Sequence, residues 1–502
     1  MIRADCDRKR KVKVINMKRP LYLTTTLPYV NADPHIGFAL EIVQADIYAR
    51  FRALRGDEVF FNTGTDEHGQ KIFEAAKKAG ETPQAYADHY AAKFRELRSV
   101  LGLSNDLHFI RTADAQHIVA AQEMWRRCHA AGDIYKKKYK GLYCVGDEMF
   151  LREADLVDGK CPKHPTMQPV MIEEENYFFR LSAYQERLIA YLSKNDVILP
   201  EWRRKEAIQF IERGLEDFSI SRNRERLPWG IPVPDDDTQV MYVWFDALTN
   251  YISTLGWPDD AEGNFKKFWE EGETVQMAGK DQVRFQSIMW QAMLMSAGLP
   301  TTQKIVYHGH ITSEGQKMSK SIGNVINPLE IVNEYGTDAL RYFLARHVSP
   351  FEDSDFTMER FKEAYNADLA NGLGNLAARI MKMAQDNNVS FREYFGADTA
   401  LTDKYYGFPG KVVSFYDTFE LNKVIDEIWN TISALDIYIQ REKPFQKIKT
   451  DPEKGRKDIA YLASQLMQIA SKLEPFMPST SGAIKITVLA NKKPENLFPR
   501  KE

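Results

Sequence analysis

Leu21-Tyr-Leu-Thr-Thr-Thr-Leu-Pro-Tyr-Val-Asn-Ala-Asp-Pro-His-Ile-Gly-Phe38 carries a strand, a loop and the opening of a helix in one stretch. Leu21 to Thr26 is rich in residues that favour extended chain and reads as a buried strand. Leu27 to Pro34 is turn-rich. From His35 to about Leu54 the pattern is helical, and Gly56 ends it. Val59 to Thr63 supplies a second strand, with Gly64-Thr-Asp-Glu-His-Gly69 as the loop beyond its end. Strand, loop, helix, strand is the start of a parallel α/β sheet. Such sheets bind ligands beyond the carboxyl ends of their strands, where both polar loops fall.

Further along, the pattern breaks. Between about 113 and 228, helical stretches give way to a Gly- and Lys-rich region containing Cys144 and Cys161, then to Trp202–Arg213 and Phe218–Arg222. Sheet-like sequence resumes at Val240-Met-Tyr-Val-Trp-Phe245 and at Thr274-Val-Gln-Met277, so the middle block reads as an insertion splitting one α/β unit. After about 366 everything reads as helix, with apolar stripes such as Leu421, Val424, Ile425, Ile428 and Ile432. These stripes need no explanation beyond core packing.

The bulk numbers are those of an ordinary soluble globular protein: 502 residues, 44% hydrophobic, 27% charged, with a net charge of −3. That charge neither announces nor excludes a polyanionic partner, because binding needs only a local basic face. No apolar run approaches the ~20 residues of a membrane span. Four scattered cysteines do not make a disulfide framework, which fits a cytoplasmic protein. Residues 1–16 are charged and lack apolar spacing, and are expected to be a disordered extension or the product of an upstream start codon, with Met17 the true start.

Two motifs carry chemistry. His35-Ile-Gly-Phe38 opens a helix, whose N-terminus offers positive dipole and free N–H groups to a phosphate, and a glycine there permits close approach. Lys317-Met-Ser-Lys-Ser321 lies between Gly315 and Gly323, and two lysines on such a loop suit a triphosphate whose pyrophosphate must leave. Each is weak alone. In this order and after these strands they resemble the HIGH and KMSKS signatures of class I aminoacyl-tRNA synthetases. The intervening Leu27-Pro-Tyr-Val-Asn31, Gly64–Gly69, Tyr242-Val-Trp-Phe-Asp-Ala-Leu248 and Gly279-Lys-Asp281 are similar to motifs of the methionyl-tRNA synthetase family. The resemblance runs from Met17 to about Pro478, nearly the whole chain.

The resemblance implies ligation of L-methionine to initiator and elongator tRNA(Met), with ATP and Mg, by a monomer. It assigns His35, Lys317 and Lys320 to catalysis, and His35, Gly37, Phe38 and Lys320 to ATP. Asp66 would take the methionine ammonium, with Leu27, Tyr29, Trp244, Ala247, Leu248, Tyr251, Gln282 and Gln286 around the side chain. Arg222 and Asp281 would form a buried ion pair. Asn375, Arg379 and Phe445 would read the anticodon. Cys144, Asp147, Cys161 and His164 form two knuckles with spacing suited to a structural zinc, metal-free knuckles being the alternative. Phe38, Gln282, Gln286, Asp147 and Phe445 stand where the family more often has other residues. The implied architecture is a Rossmann-type parallel sheet split by a connective insertion, followed by an α-helical anticodon-binding bundle. Its expected parts are the extension 1–16, catalytic halves 17–112 and 229–304, the zinc-bearing insertion 113–228, the KMSKS stem 305–365 and the bundle 366–502. A non-catalytic tRNA-binding paralogue and a nucleotidyltransferase of the same fold are the rival readings.

Overall fold

The computed structural model describes residues 19–502 apart from 145–148, 152–155, 163–166, 195, 319–323 and 396–408. Among the described residues the central sheet has six strands: β1 (Pro20–Thr24), β2 (Glu58–Thr65), β3 (Leu107–Arg111), β4 (Ile198–Leu199), β5 (Glu273–Gly279) and β6 (Lys304–His308). Their spatial order is β3-β2-β1-β5-β6-β4, and every pairing is parallel. β1 sits in the middle with Leu21, Tyr22 and Leu23 fully buried, as expected where both faces of a parallel sheet are covered. Its side chains alternate between two cores. Leu21 and Leu23 pack with the helix Ile36–Leu54, whereas Tyr22 meets Phe60 and Trp269 on the other side.

The insertion carries a four-stranded sheet of its own, in which Ile134–Cys144 pairs antiparallel with Val170–Phe179. Its short strand β4 crosses back to close the edge of the central sheet. The chain then returns through Asp236–Met241, also a strand. The extended reading of Val240–Phe245 holds only to Met241, because Val243–Leu248 is helical. Val, Trp and Phe favour strands, but here packing against two neighbouring helical segments decides the conformation.

Lys317, expected in a loop, ends a two-residue strand paired with Ile311–Ser313. Glu314 and Gly315, both at positive φ (53° and 72°), make the tight turn between them. Lys320 and the rest of 319–323 lie outside the described residues, as do residues 1–18.

From Met358 onward the described secondary structure is helical, with main members Asn375–Asp386, Leu421–Glu442, Pro452–Leu473 and Pro478–Ala490. This part is tied to the sheet region through Arg341, which is fully buried. Its guanidinium donates to the Asp46 carboxylate (2.7 Å) and to the carbonyls of Leu101 (3.1 Å), Pro475 (2.8 Å) and Phe476 (2.8 Å). Among the described residues no helix is long and apolar enough to cross a membrane.

Candidate active site

A cavity of about 670 Å³ opens at the carboxyl ends of β1, β2, β5 and β6. All nine residues expected around methionine line it, together with His35, Gly37 and Phe38. The apolar wall comes from the short helices after Tyr242. Trp244 stacks on Phe285 (3.8 Å, 11°) and takes Tyr29 against its edge (6.3 Å, 75°). Ala247, Leu248 and Tyr251 are buried behind them. Gln286 donates from Nε2 to the Tyr251 hydroxyl at 3.2 Å. Burial pushes that phenol well above its usual range, so it stays neutral.

Asp66 follows directly from β2 and is buried. Its N–H donates to the Pro28 carbonyl (3.0 Å), and its carbonyl accepts from Val30 (3.3 Å), which pins the loop Leu27–Pro34 to the end of β2. A buried carboxylate in an aromatic-walled cavity is suited to a substrate ammonium.

At the other end, His35 caps the helix Ile36–Leu54. Its Nδ1 accepts from the Gly37 N–H at 3.1 Å, so in the neutral ring Nε2 carries the hydrogen and is the donor. A Cβ at position 37 would lie 2.9 Å from His35 Cε1, which is why glycine stands there. Phe38 packs its edge on Phe94 (5.2 Å, 86°) and presents no donor. Lys320 lies outside the described residues, and so does the Lys317 side chain.

Two cavity residues missed in the sequence are Glu41 and His308. Glu41 accepts from the N–H and hydroxyl of Thr26 (2.6 and 2.5 Å) through one oxygen and meets His308 Nε2 at 2.8 Å through the other. His308 Nδ1 faces the Gly309 carbonyl at 2.7 Å, so both ring nitrogens point at oxygen acceptors, the arrangement of an imidazolium. Burial alone would lower the His308 pKa, but the Glu41 carboxylate outweighs it and raises it. Both clues were available: a glutamate inside the apolar run Leu40-Glu-Ile42, and His308-Gly-His310 at the end of a strand.

The expected Arg222–Asp281 ion pair is corrected by the structure. Asp281 pairs with His310 (3.0 Å) at the cavity mouth, where its side chain is about half exposed. Burial works to raise that carboxyl, and hydrogen bonding and charge from His310 overcome it, holding it at about 2. Arg222 points elsewhere. Its guanidinium lies over Tyr143 and Tyr242 and donates to Ser219 Oγ and the Ser221 carbonyl. Tyr143 lies on the insertion strand Ile134–Cys144, so the guanidinium packs against the insertion sheet.

Of the proposed metal ligands, Cys144 and Cys161 are buried, whereas Asp147 and His164 lie outside the described residues. Among the described residues no group of three or more His, Cys, Asp or Glu is placed to hold a metal. In the helical region, Asn375 is exposed on the helix Asn375–Asp386, and Arg379 on the same helix donates to Asp436 (2.6 Å). Phe445, in the short helix Pro444–Thr450, is 45% exposed.

The family model for class I tRNA synthetases (M) matches residues 21–169 and 164–381. A methionine–tRNA ligase of Rhizobium meliloti is 41% identical over 476 residues, covering 93% of this chain and 91% of the relative. One from Caldanaerobacter subterraneus subsp. tengcongensis is 42% identical over 479 residues, covering 92% and 73%. Among solved structures, Mycobacterium tuberculosis methionyl-tRNA synthetase in complex with methionyl-adenylate superposes with a TM-score of 0.85 at 37% identity, covering 96% of this chain and 99% of that one.

Proposed function

The chain belongs to the methionyl-tRNA synthetases of class I, and from that membership we propose how its own residues divide the work. It ligates methionine to tRNA at the expense of ATP. In the first step the methionine carboxylate attacks the α-phosphorus, forming the acyl–phosphate bond as pyrophosphate leaves. In the second a terminal ribose hydroxyl of the tRNA attacks the acyl carbon and AMP leaves. Magnesium enters with ATP as part of the substrate and offsets phosphate charge.

Asp66 holds the ammonium, and the wall of Tyr29, Trp244 and Leu248 receives the thioether, for which an apolar, polarisable surface is suited. His35 Nε2–H, the helix N-terminus, Lys317 and Lys320 serve the phosphates. Catalysis is mainly positioning and charge stabilisation. The observation that carries this reading is the convergence of all nine methionine residues and His35 on one cavity at the strand ends. Methionine-dependent ATP–pyrophosphate exchange tests it, with the other amino acids as controls. Exchange supported equally by leucine or valine would overturn it.

Initiator and elongator tRNA(Met) are the proposed nucleic-acid partners, read by Asn375, Arg379 and Phe445, whose ring offers a stacking face to an unpaired base. The divisions at 113, 229, 305 and 366 are retained as the proposed domain limits, and a cytoplasmic monomer as the proposed form. A structural zinc is also proposed at the insertion, supported by two buried cysteines that would supply soft donors to it. Elemental analysis of protein purified without chelator should return about one equivalent, lost in Cys161→Ala. A value under a tenth would refute it.

A further inference from the structure

Behind the aromatic wall of the cavity lies a polar chain that the mechanism above does not use. Asp246 is fully buried on the helix Val243–Leu248, between Trp244 and Ala247 in sequence. Its Oδ2 meets His68 Nδ1 at 2.7 Å and its Oδ1 meets His117 Nε2 at 2.8 Å. The second nitrogen of His117 reaches Ser253 Oγ at 2.9 Å. All four residues are buried. Burial alone would raise the Asp246 carboxyl, but the charge and hydrogen bonds of the two histidines prevail and lower it.

The chain joins three parts of the molecule. His68 sits two residues after Asp66, in the loop that continues from β2. His117 belongs to the helix Ala115–Ala130 at the start of the insertion. Asp246 and Ser253 bracket the segment carrying Ala247, Leu248, Asn250 and Tyr251. The residue between Asp66 and His68 is anchored independently, since Glu67 takes a bidentate pair from Arg111 (2.6 and 2.7 Å). Asp66 is therefore followed by two residues whose side chains are each held by a different partner, which leaves its own direction little freedom.

We propose that Asp246, through His68 and His117, is a positioning residue for methionine: it fixes the distance between the carboxylate that holds the ammonium and the wall that holds the side chain. On the reading above methionine spans both while the phosphates of ATP lie toward His35, so loosening this tie weakens methionine selectively. A buried group left without its partners costs enough to shift an affinity by about 10–100-fold. Asparagine at 246 keeps an oxygen for His68 and an amide that can donate to the other tautomer of His117. Glutamine at 68 likewise keeps a donor.

The inference rests on the methionine-binding reading of the cavity, which wild-type exchange with methionine against other amino acids tests separately. The experiment is pyrophosphate exchange with Asp246→Ala, Asp246→Asn, His68→Ala and His68→Gln, each checked for a wild-type circular dichroism spectrum. Both alanine variants should raise KM for methionine ~10–100-fold while KM for ATP stays within about threefold. The asparagine and glutamine variants should recover most of that loss. If Asp246→Ala does not accumulate folded, the His68 pair carries the same comparison. Alanine variants that leave KM for methionine unchanged, or that raise both KM values together without rescue, overturn the proposal.

Discussion

Phe38 is where a single side chain changes what the active site can do. Its ring meets Phe94 edge-on, an arrangement worth about 0.5–1.5 kcal/mol beyond area burial, and it gives no hydrogen to a phosphate. Phosphate stabilisation at this end therefore rests on His35 and its helix. Pre-steady-state adenylation should fall ~10²–10³-fold in His35→Ala and less than ~10-fold in Phe38→Ala, which loses packing alone. Equal damage would mean that the ring itself touches ATP. His308 sets a second expectation. Its folded pKa is raised by Glu41 above the unfolded value of about 6.5. The stability it contributes is thus fully present below that value and fades as pH rises through the folded pKa. Urea unfolding of the wild type and of His308→Gln should show a gap that narrows from pH 6 upward. A gap that does not change with pH would show that the imidazole is not charged in the native state.

Among the elements, those marked by punctuation or periodicity were legible. The helix after His35 starts one residue later than its first expected position and ends at Leu54 as read, and the stripe from Leu421 to Ile439 is the buried face of Leu421–Glu442. The helix Val243–Leu248 was illegible because its residues favour strands and its conformation is decided by what packs around it. Pairings across the fold were illegible for a related reason. Nothing local to Asp281 distinguishes Arg222 from His310 as its partner, and the partner depends on where β5 and β6 end side by side. The nine cavity residues were reached by motif, whereas Glu41 and His308, 267 positions apart, meet only in three dimensions. For the helix Asn375–Asp386 a third expectation follows. Arg379 is held to Asp436 in a half-exposed ion pair, whose contribution to stability is small. Arg379→Ala should therefore leave melting and pyrophosphate exchange unchanged, while tRNA charging falls ~10–100-fold through lost donors to an unpaired base. If exchange falls with it, the residue supports the fold and the anticodon assignment fails.

Over the whole molecule, Arg341 adds a buried polar tie to the apolar core that the sheet region and the helical region share. Four oxygens from three separated segments surround one buried guanidinium. Arg341→Met keeps the volume but takes its donor from three buried carbonyls and leaves Asp46 with Arg50 as its remaining arginine, a loss of about 3–5 kcal/mol. Urea unfolding monitored by the tryptophans should report it, and a loss under ~1 kcal/mol would assign the junction to apolar packing alone. The order of the central sheet has a consequence in time rather than energy. β1 lies between β2 and β5, so one of its edges waits for a strand made much later. At roughly 5–20 residues per second on the ribosome, the ~160 residues between Arg111 and Glu273 take on the order of 10–30 s. Throughout that interval the nascent first half shows an open row of backbone donors and acceptors, a surface that invites pairing with neighbouring nascent chains. Slow codons within 112–272 should therefore lower soluble yield, whereas the same codons placed after His308, once β6 is complete, should not.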